Sequence, residues 1–357
     1  MPIRISFFTK VFHFGFKART SRGPMADKKS WFIRMEDDQQ PGIVGLGECG
    51  PLPGLSIDHS PTFEDDLRRV VESLNEAGLT TADYNRIYEI IPPEMSSVLF
   101  GVETALLDLS KGGKRILFDN AFQTGMRIPI NGLIWMGDLD FMMDQINKKI
   151  AQGFRCIKIK VGGLDFEREC DVLHYIRRRY FRDNIELRLD ANGAFKIDDA
   201  LYRLEELSQF DIHSIEQPIK RGLPEMEELC RKSPIPVALD EELIGVNGTA
   251  TRKNLLEKLK PQFIVLKPTL HGGIRGCQEW IELAGATNTG WWITSSLESS
   301  IGLNAICQLT AEYDLTLPQG LGTGGIYTDN FASPLTVEKG NIFLDNTKHW
   351  DLPEGIN

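Results

Sequence analysis

Cysteine pairs, histidine pairs and long runs of one charge sign are all missing from this sequence. Its six cysteines, Cys49, Cys156, Cys170, Cys230, Cys277 and Cys307, are scattered through apolar or helical surroundings with no CxxC among them. That excludes a disulfide-stapled scaffold and a thiolate zinc site and, with no secretory leader in front, points to a reduced cytoplasm. The six histidines form no pair at metal-ligand spacing, so a histidine-based zinc centre is excluded as well. No run of basic residues exceeds three and the formal charge is −10, which argues against a nucleic-acid partner, because phosphate binding needs a basic face. "RRRYFR" (177–182) comes nearest, and late in a helical pattern it reads as a solvated helix end whose cations suit the dipole. No apolar stretch suits a membrane span: "MPIRISFFTKVFHFGF" is broken by Arg4, Lys10, His13 and Lys17, with the alternation of an amphipathic strand.

What is there is a chain of 357 residues, 41% hydrophobic and 25% charged, enough for one large soluble domain or two of medium size. Residues 1–124 read as an α+β unit: strands at 3–17 and 30–36, a Gly/Pro-rich stretch "GLGECGPLPGLS" (45–56), and helices at 61–77, 81–90 and 95–112. The polar insert "ARTSRGPMADKKS" (18–30) reads as a mobile loop between the first two strands. Residues 125–321 alternate short β-rich runs with helical patterns. The strand candidates are 127–135, 155–161, 185–192, 212–218, 235–241, 263–268, 291–296 and a weaker "TLPQGL" at 316–321. Eight strands with seven intervening helices predict a modified TIM-type (β/α)7β barrel. The segment 322–357 is expected to return to the first unit.

Barrel enzymes place their chemistry at the carboxyl ends of the strands. Those ends carry Lys158 and Lys160, then Asp190, Glu216, Asp240 and Lys267, and the seventh opens into "SSLESSIGL" (295–303). Side chains two apart on a strand share a face, so Lys158 and Lys160 point the same way, as do Arg188 and Asp190. Three converging carboxylates repel one another, and a divalent cation resolves the conflict. An all-oxygen set favours Mg²⁺ or Mn²⁺ over zinc. Two ammoniums about 6 Å apart at an effective dielectric of ~20 repel by roughly 3 kcal/mol, so crowding can free one lysine to act as a base. Lys267 lies across the barrel from the pair. A lysine on each face of a metal-held carboxylate suits proton transfer at the adjacent carbon, as in enolase-superfamily sites.

Plainer readings compete at each position. Lys158 and Lys160 could snorkel outward between helices. Asp240 could cap a helix beginning "DEEL", and Ser295 and Ser296 could cap the helix that follows them. "GLGTGG" (320–325) superficially matches a phosphate loop but follows the weakest strand and precedes no convincing helix. Among the histidines only His271 stands near the mouth.

The ordered set "KIK" (158–160), "DAN" (190–192), "EQP" (216–218), "DE" (240–241) and "LKP" (266–268) resembles the enolase superfamily, in its muconate-lactonizing-type subgroup, over nearly the whole chain. The resemblance implies an amino-terminal capping domain whose loops close over the barrel. It assigns Mg²⁺, or Mn²⁺, to Asp190, Glu216 and Asp240, and makes Lys160 the acid/base, Lys158 its tuning partner and Lys267 the stabiliser of the enediolate. With "SSLESSIGL" and "GLGTGGIYTDN" (320–330), it implies a lyase of menaquinone biosynthesis that dehydrates 2-succinyl-6-hydroxy-2,4-cyclohexadiene-1-carboxylate. Ser295 and Ser296 would then meet the succinyl end, and Arg188 and Asn192 would support the metal side. Loops around Thr20 and Ser21 and from Pro51 to Leu55 would form a lid. Racemization of N-succinylamino acids and dipeptide epimerization use the same metal and lysines; the epimerases' acidic DxD-like motif is absent from "TLPQGLGTGG" (316–325). A non-catalytic barrel that only binds its ligand is the remaining reading. The partner in every enzymatic reading is a small-molecule carboxylate, and monomer and homo-oligomer both fit the pattern.

Overall fold

The structure is a computed structural model that describes residues 2–20, 23–353 and 356. The amino-terminal unit is an antiparallel sheet, β1 (Arg4–Thr20), β2 (Gly23–Glu36) and β3 (Val44–Cys49), in that order. It is followed by α1 (Phe63–Glu76), a single turn α2 (Ile87–Ile90) and α3 (Ser96–Ser110). Helix α3 is buried on almost every side, which explains why "SSVLFGVETALLDLS" carries so few charges.

The Gly/Pro-rich stretch 45–56 begins in a strand, since its first five residues lie in β3. Glycine is needed there for space: a Cβ on Gly45 would lie 2.1 Å from the Ala105 carbonyl oxygen, and one on Gly47 1.8 Å from that of Gly101, both on α3. One expectation for this unit fails: the insert 18–30 is not a loop. β1 and β2 run through it, pairing Ala18 with Met25, Arg19 with Pro24 and Thr20 with Gly23 beyond a register shift. Its polarity misled because Lys28 and Ser30 point inward to buried partners. Ser21 and the side chain of Thr20 lie outside the described residues, and with them the lid contact expected there.

Residues 127–135 divide in two. β4 (Ile128–Pro129) leaves the barrel to pair with residues 341–342 near the carboxyl end of the chain, and β5 (Gly132–Ile134) opens the barrel sheet. The series continues α4 (Leu139–Ala151), β6 (Cys156–Lys160), α5 (Phe166–Arg179), β7 (Glu186–Asp190), α6 (Ile197–Ser208), β8 (Ile212–Glu216) and α7 (Glu225–Lys232). It ends with β9 (Val237–Leu239), α8 (Thr249–Leu259), β10 (Phe263–Leu266), α9 (Gly273–Ala286), β11 (Gly290–Ile293) and α10 (Ser300–Thr310). The seven parallel strands follow chain order from β5 to β11 around the curled sheet. Outward residues such as Ile157, Leu187, Ile215, Val237, Ile264 and Ile293 join the helices in one large core. The expected eighth strand, 316–321, contributes single parallel bridges from Gln319 to Ile130 and from Gly320 to Thr294. Pro318 supplies no N–H to a ladder, so the segment joins the two edges without becoming a strand.

β12 (Leu335–Glu338) and β13 (Asn341–Leu344) form a hairpin on β4. Between α10 and this hairpin, Tyr327 and Phe331 pack against Phe12 and Phe32 of the amino-terminal sheet, with ring centroids 5.1 Å (Phe12–Tyr327, tilted) and 5.3 Å (Phe32–Phe331, edge to face) apart. That packing carries the amino-terminal sheet over one end of the barrel. Among the described residues, no helix is long and apolar enough to cross a membrane.

Candidate active site

Parallel register builds the site in layers. Lys160 pairs with Asp190 and Asp190 with Glu216, while one layer below Lys158 pairs with Arg188 and Arg188 with Ser214. Because inward residues recur every second position, both lysines of β6 enter the barrel and Ile157 and Ile159 face the helices. The snorkelling alternative is thereby removed: Lys158 is buried and its Nζ lies 2.5 Å from Glu216 Oε2 and 2.9 Å from Asp190 Oδ2. Lys160 Nζ lies 2.7 Å from Asp190 Oδ2 and 2.5 Å from Asn192 Oδ1. Lys267, just beyond β10, pairs with Asp240 Oδ2. Asp240 makes no side-chain cap to the turn after it, and Ser299, not Ser295 or Ser296, caps α10.

Burial alone would push Lys158 down, but the charges of Asp190 and Glu216 outweigh it and hold the ammonium above the ordinary lysine range. The crowding expected to free a lysine therefore does not act on Lys158. Lys267 follows the same pattern, burial being overcome mainly by Asp240. Burial raises Asp190 and Asp240, yet the lysines beside them bring both below the usual carboxylate range. Glu216 goes the other way, pushed up to about 8 by burial and by the charge of Asp190. His271 is buried and pushed down to about 3 by desolvation; as a neutral ring its Nδ1 accepts from the Lys267 backbone N–H at 2.9 Å.

These groups stand at a cavity of about 120 Å³ under the amino-terminal sheet. Lys158, Lys160, Asp190, Asn192, Lys267, Ser295, Ser296 and Leu55 line it. Glu216 and Asp240 sit behind the lysine heads, 1% and 0% exposed. Arg188 does not reach the cavity. It lies in the layer beneath, bonded to Glu186 and the Pro318 carbonyl, with its guanidinium 4.4 Å from the Trp292 ring centroid. Asn131, Trp135, Glu241, Leu297 and Thr323 also line the cavity. Glu241 stands beside Asp240 in "DE", and Leu297 and Thr323 lie inside "SSLESSIGL" and "GLGTGGIYTDN", so these three were within reach of the motifs; Asn131 and Trp135 had no signal of their own.

A family model described as enolase C-terminal domain-like matches residues 142–348. The o-succinylbenzoate synthase of Desulfotalea psychrophila is 43% identical over 349 residues, covering 90% of this chain and 94% of its own. The chain belongs to the enolase superfamily. The crystal structure of MenC from Desulfotalea psychrophila superposes with a TM-score of 0.83 at 39% identity, covering 96% of this chain and all of that one. A dipeptide epimerase from Cytophaga hutchinsonii superposes at 0.84 with 19% identity over 99% of this chain and 97% of its own, a likeness of fold alone.

Enzymes of the enolase superfamily use a divalent metal ion. Among the described residues, no three acidic, histidine or cysteine side chains converge as a ready cage, because lysine ammoniums stand between the carboxylates. The donor chemistry nonetheless fits such an ion. Among the described residues, Glu216 Oε1 and Asp240 Oδ1 are buried without a hydrogen-bond partner, a costly arrangement for carboxylate oxygens unless a cation answers them.

Proposed function

We infer that this chain is a lyase that dehydrates 2-succinyl-6-hydroxy-2,4-cyclohexadiene-1-carboxylate to o-succinylbenzoate, a step of menaquinone biosynthesis. The observation that carries the chemistry is the placement of Lys160 and Lys267 on a common cavity from opposite sides of the barrel, with buried acids between them. The 43% identity to the Desulfotalea synthase supports the choice of substrate.

In this reading Asp190, Glu216 and Asp240 hold Mg²⁺, favoured over zinc by the all-oxygen donor set, with Mn²⁺ as a substitute. When bound, the ion supplies positive charge to the carboxylate oxygens on which negative charge collects. Lys160 takes the proton from C1, beside the carboxylate. The electron pair passes toward the carboxylate, giving the enediolate, and returns to form C1=C6 as the C6–O bond breaks. Lys160 gives its proton to the departing hydroxyl, so water leaves from the face on which the proton was taken and the elimination is syn. Aromatization of the ring supplies much of the driving force.

Lys158, held protonated by Asp190 and Glu216, places a fixed positive charge next to Lys160. Lys267 stays protonated beside Asp240 and stabilises the enediolate from the opposite face without transferring a proton. Asn192 orients Lys160 by accepting from its Nζ. Ser295 and Ser296 meet the succinyl end, and Leu55 closes the cavity from the amino-terminal side. The enzyme is a cytoplasmic one acting on a small-molecule carboxylate.

The test is to supply purified protein and Mg²⁺ with the cyclohexadiene carboxylate and, separately, with an N-succinylamino acid and with a dipeptide. Fast dehydration with little racemization is the expected result. Racemization or dipeptide epimerization without dehydration would keep the lysines but overturn the substrate. No turnover of any of these would revive a non-catalytic binding role.

A further inference from the structure

The cavity wall formed by Ser295, Ser296 and Leu297 is held from behind by the amino-terminal sheet. Lys28 on β2 is 3% exposed, and its ammonium donates to the Leu297 carbonyl at 2.8 Å and to that of Ser296 at 3.3 Å. Gly50 leaves the room this requires, since a Cβ there would lie 2.7 Å from Lys28 Nζ. The Leu297 carbonyl also accepts from the Tyr327 hydroxyl at 2.7 Å. Leu297 itself has φ +64°, a left-handed conformation that a branched residue keeps only where its surroundings hold it.

Two buried carboxylates complete the arrangement. Glu48 on β3 accepts from the backbone N–H of Ser299 at 2.9 Å and of Gly302 at 3.1 Å, at the start of α10, and from the Ser30 hydroxyl at 2.8 Å. Glu298 accepts from Ser296 N–H at 2.6 Å and from the Thr269 hydroxyl, two residues beyond Lys267. The amino-terminal sheet thus donates to the wall's carbonyls through Lys28 and accepts from the helix start through Glu48. The dehydration chemistry itself needs none of these groups. Their common effect is on the wall, where the Ser296 hydroxyl is buried and, among the described residues, has no partner.

We propose that Lys28 is a positioning residue for recognition of the substrate's succinyl arm, fixing the Ser296 and Leu297 carbonyls so that the Ser296 hydroxyl and the Leu297 side chain face the cavity. The inference rests on the reading above, which gives that end of the cavity to the succinyl group. A lysine suits the task because one ammonium has three donors and can answer two successive carbonyls, while Glu48 and Glu298 offset its charge. With methionine there, both carbonyls lose their charged donor and the left-handed turn loses one of its two anchors.

The experiment is steady-state kinetics of the full-length Lys28→Met, Lys28→Arg and Tyr327→Phe variants on the cyclohexadiene carboxylate, with Mn²⁺ affinity as a check on the metal side. Lys28→Met should raise KM by about tenfold or more with kcat within about threefold, the signature of lost binding rather than lost chemistry. Lys28→Arg should recover part of that loss, and Tyr327→Phe should raise KM in the same direction but less. A folded Lys28→Met enzyme with unchanged KM and only a lower melting temperature would overturn the proposal. Should that variant not fold, Tyr327→Phe decides alone: a raised KM supports the proposal and an unchanged one overturns it. Absence of dehydration by the wild type would defeat the functional reading instead, so the two failures are separable.

Discussion

Lys160 Nζ lies 2.5 Å from Asn192 Oδ1, and the same Asn192 amide donates at 3.0 Å to Glu241 Oε1. One side chain therefore ties the proposed base to an acid on the far side of β8. Asn192 holds φ +44°, which asparagine tolerates better than most residues. Asn192→Ala should lower kcat by about 10- to 100-fold, within the range of a mispositioned general base, with Mg²⁺ affinity little changed. Asn192→Asp, which keeps an acceptor oxygen for the Lys160 Nζ, should retain more activity than Asn192→Ala. Steady-state kinetics of both variants checks this.

The orphaned oxygens Glu216 Oε1 and Asp240 Oδ1 make a second prediction. Chelation should abolish turnover, and Mg²⁺ should restore it. Glu216→Gln and Asp240→Asn should each weaken Mn²⁺ binding by at least ~100-fold, since even outer partners of a metal site cost 10- to 100-fold. Titration of the ion by electron paramagnetic resonance measures this without reference to activity. Equal affinity in both variants would remove them from the metal set.

Gly47 sets a limit on the amino-terminal unit. A side chain there would enter the Gly101 carbonyl of α3, at 1.8 Å from the added Cβ. Gly47→Ala should destabilise by about 3 kcal/mol, as overpacking of a closed interface does. Urea unfolding of the two proteins reads the difference directly, and a change below about 0.5 kcal/mol, ordinary for a surface substitution, would contradict the close approach.

The barrel was legible because its signals are local. Strand runs alternate with helices, and lysines and carboxylates recur at strand ends where an apolar core gives them no structural reason to be. Leu187 and Leu189 flank Arg188 in a period of two, so the inward face could be read from the letters alone. The amino-terminal sheet was less legible because its rules are tertiary. β3 carries glycines that ordinarily argue against a strand, and their cause, the α3 backbone, lies more than fifty residues away. Lys28 and Ser30 read as loop polarity because their partners sit on β11's far loop and on β3. Arg188 shares the face of Asp190 as expected, yet one layer of depth separates a cavity residue from a floor residue, and spacing does not measure depth.

Glu103 on α3 links the amino-terminal unit to the barrel. It accepts from the Ile274 and Arg275 backbone N–H groups at the start of α9, and from the Tyr84 and Tyr88 hydroxyls. Burial raises its carboxyl to about 7. An acid with a folded pKa above its unfolded value stabilises fully below the unfolded value and loses that contribution as pH rises toward the folded one. The stability of the wild type relative to Glu103→Gln should therefore fall between about pH 4.5 and pH 7, then level off, by an amount on the order of 3 kcal/mol. Paired chemical denaturation across that window tests it. A difference that is flat or rises with pH would contradict the assignment.

The central claim is that Lys160 moves the proton at C1. Its most direct measurement is the single-turnover dehydration rate of Lys160→Ala, with Mn²⁺ and substrate binding measured on the same preparation. The predicted result is a loss of about 10³-fold or more with both ligands still bound, at the upper part of the range for a general acid–base group. A rate within tenfold of the wild type, with both ligands bound, would contradict it and assign the proton transfer to another side chain of the cavity.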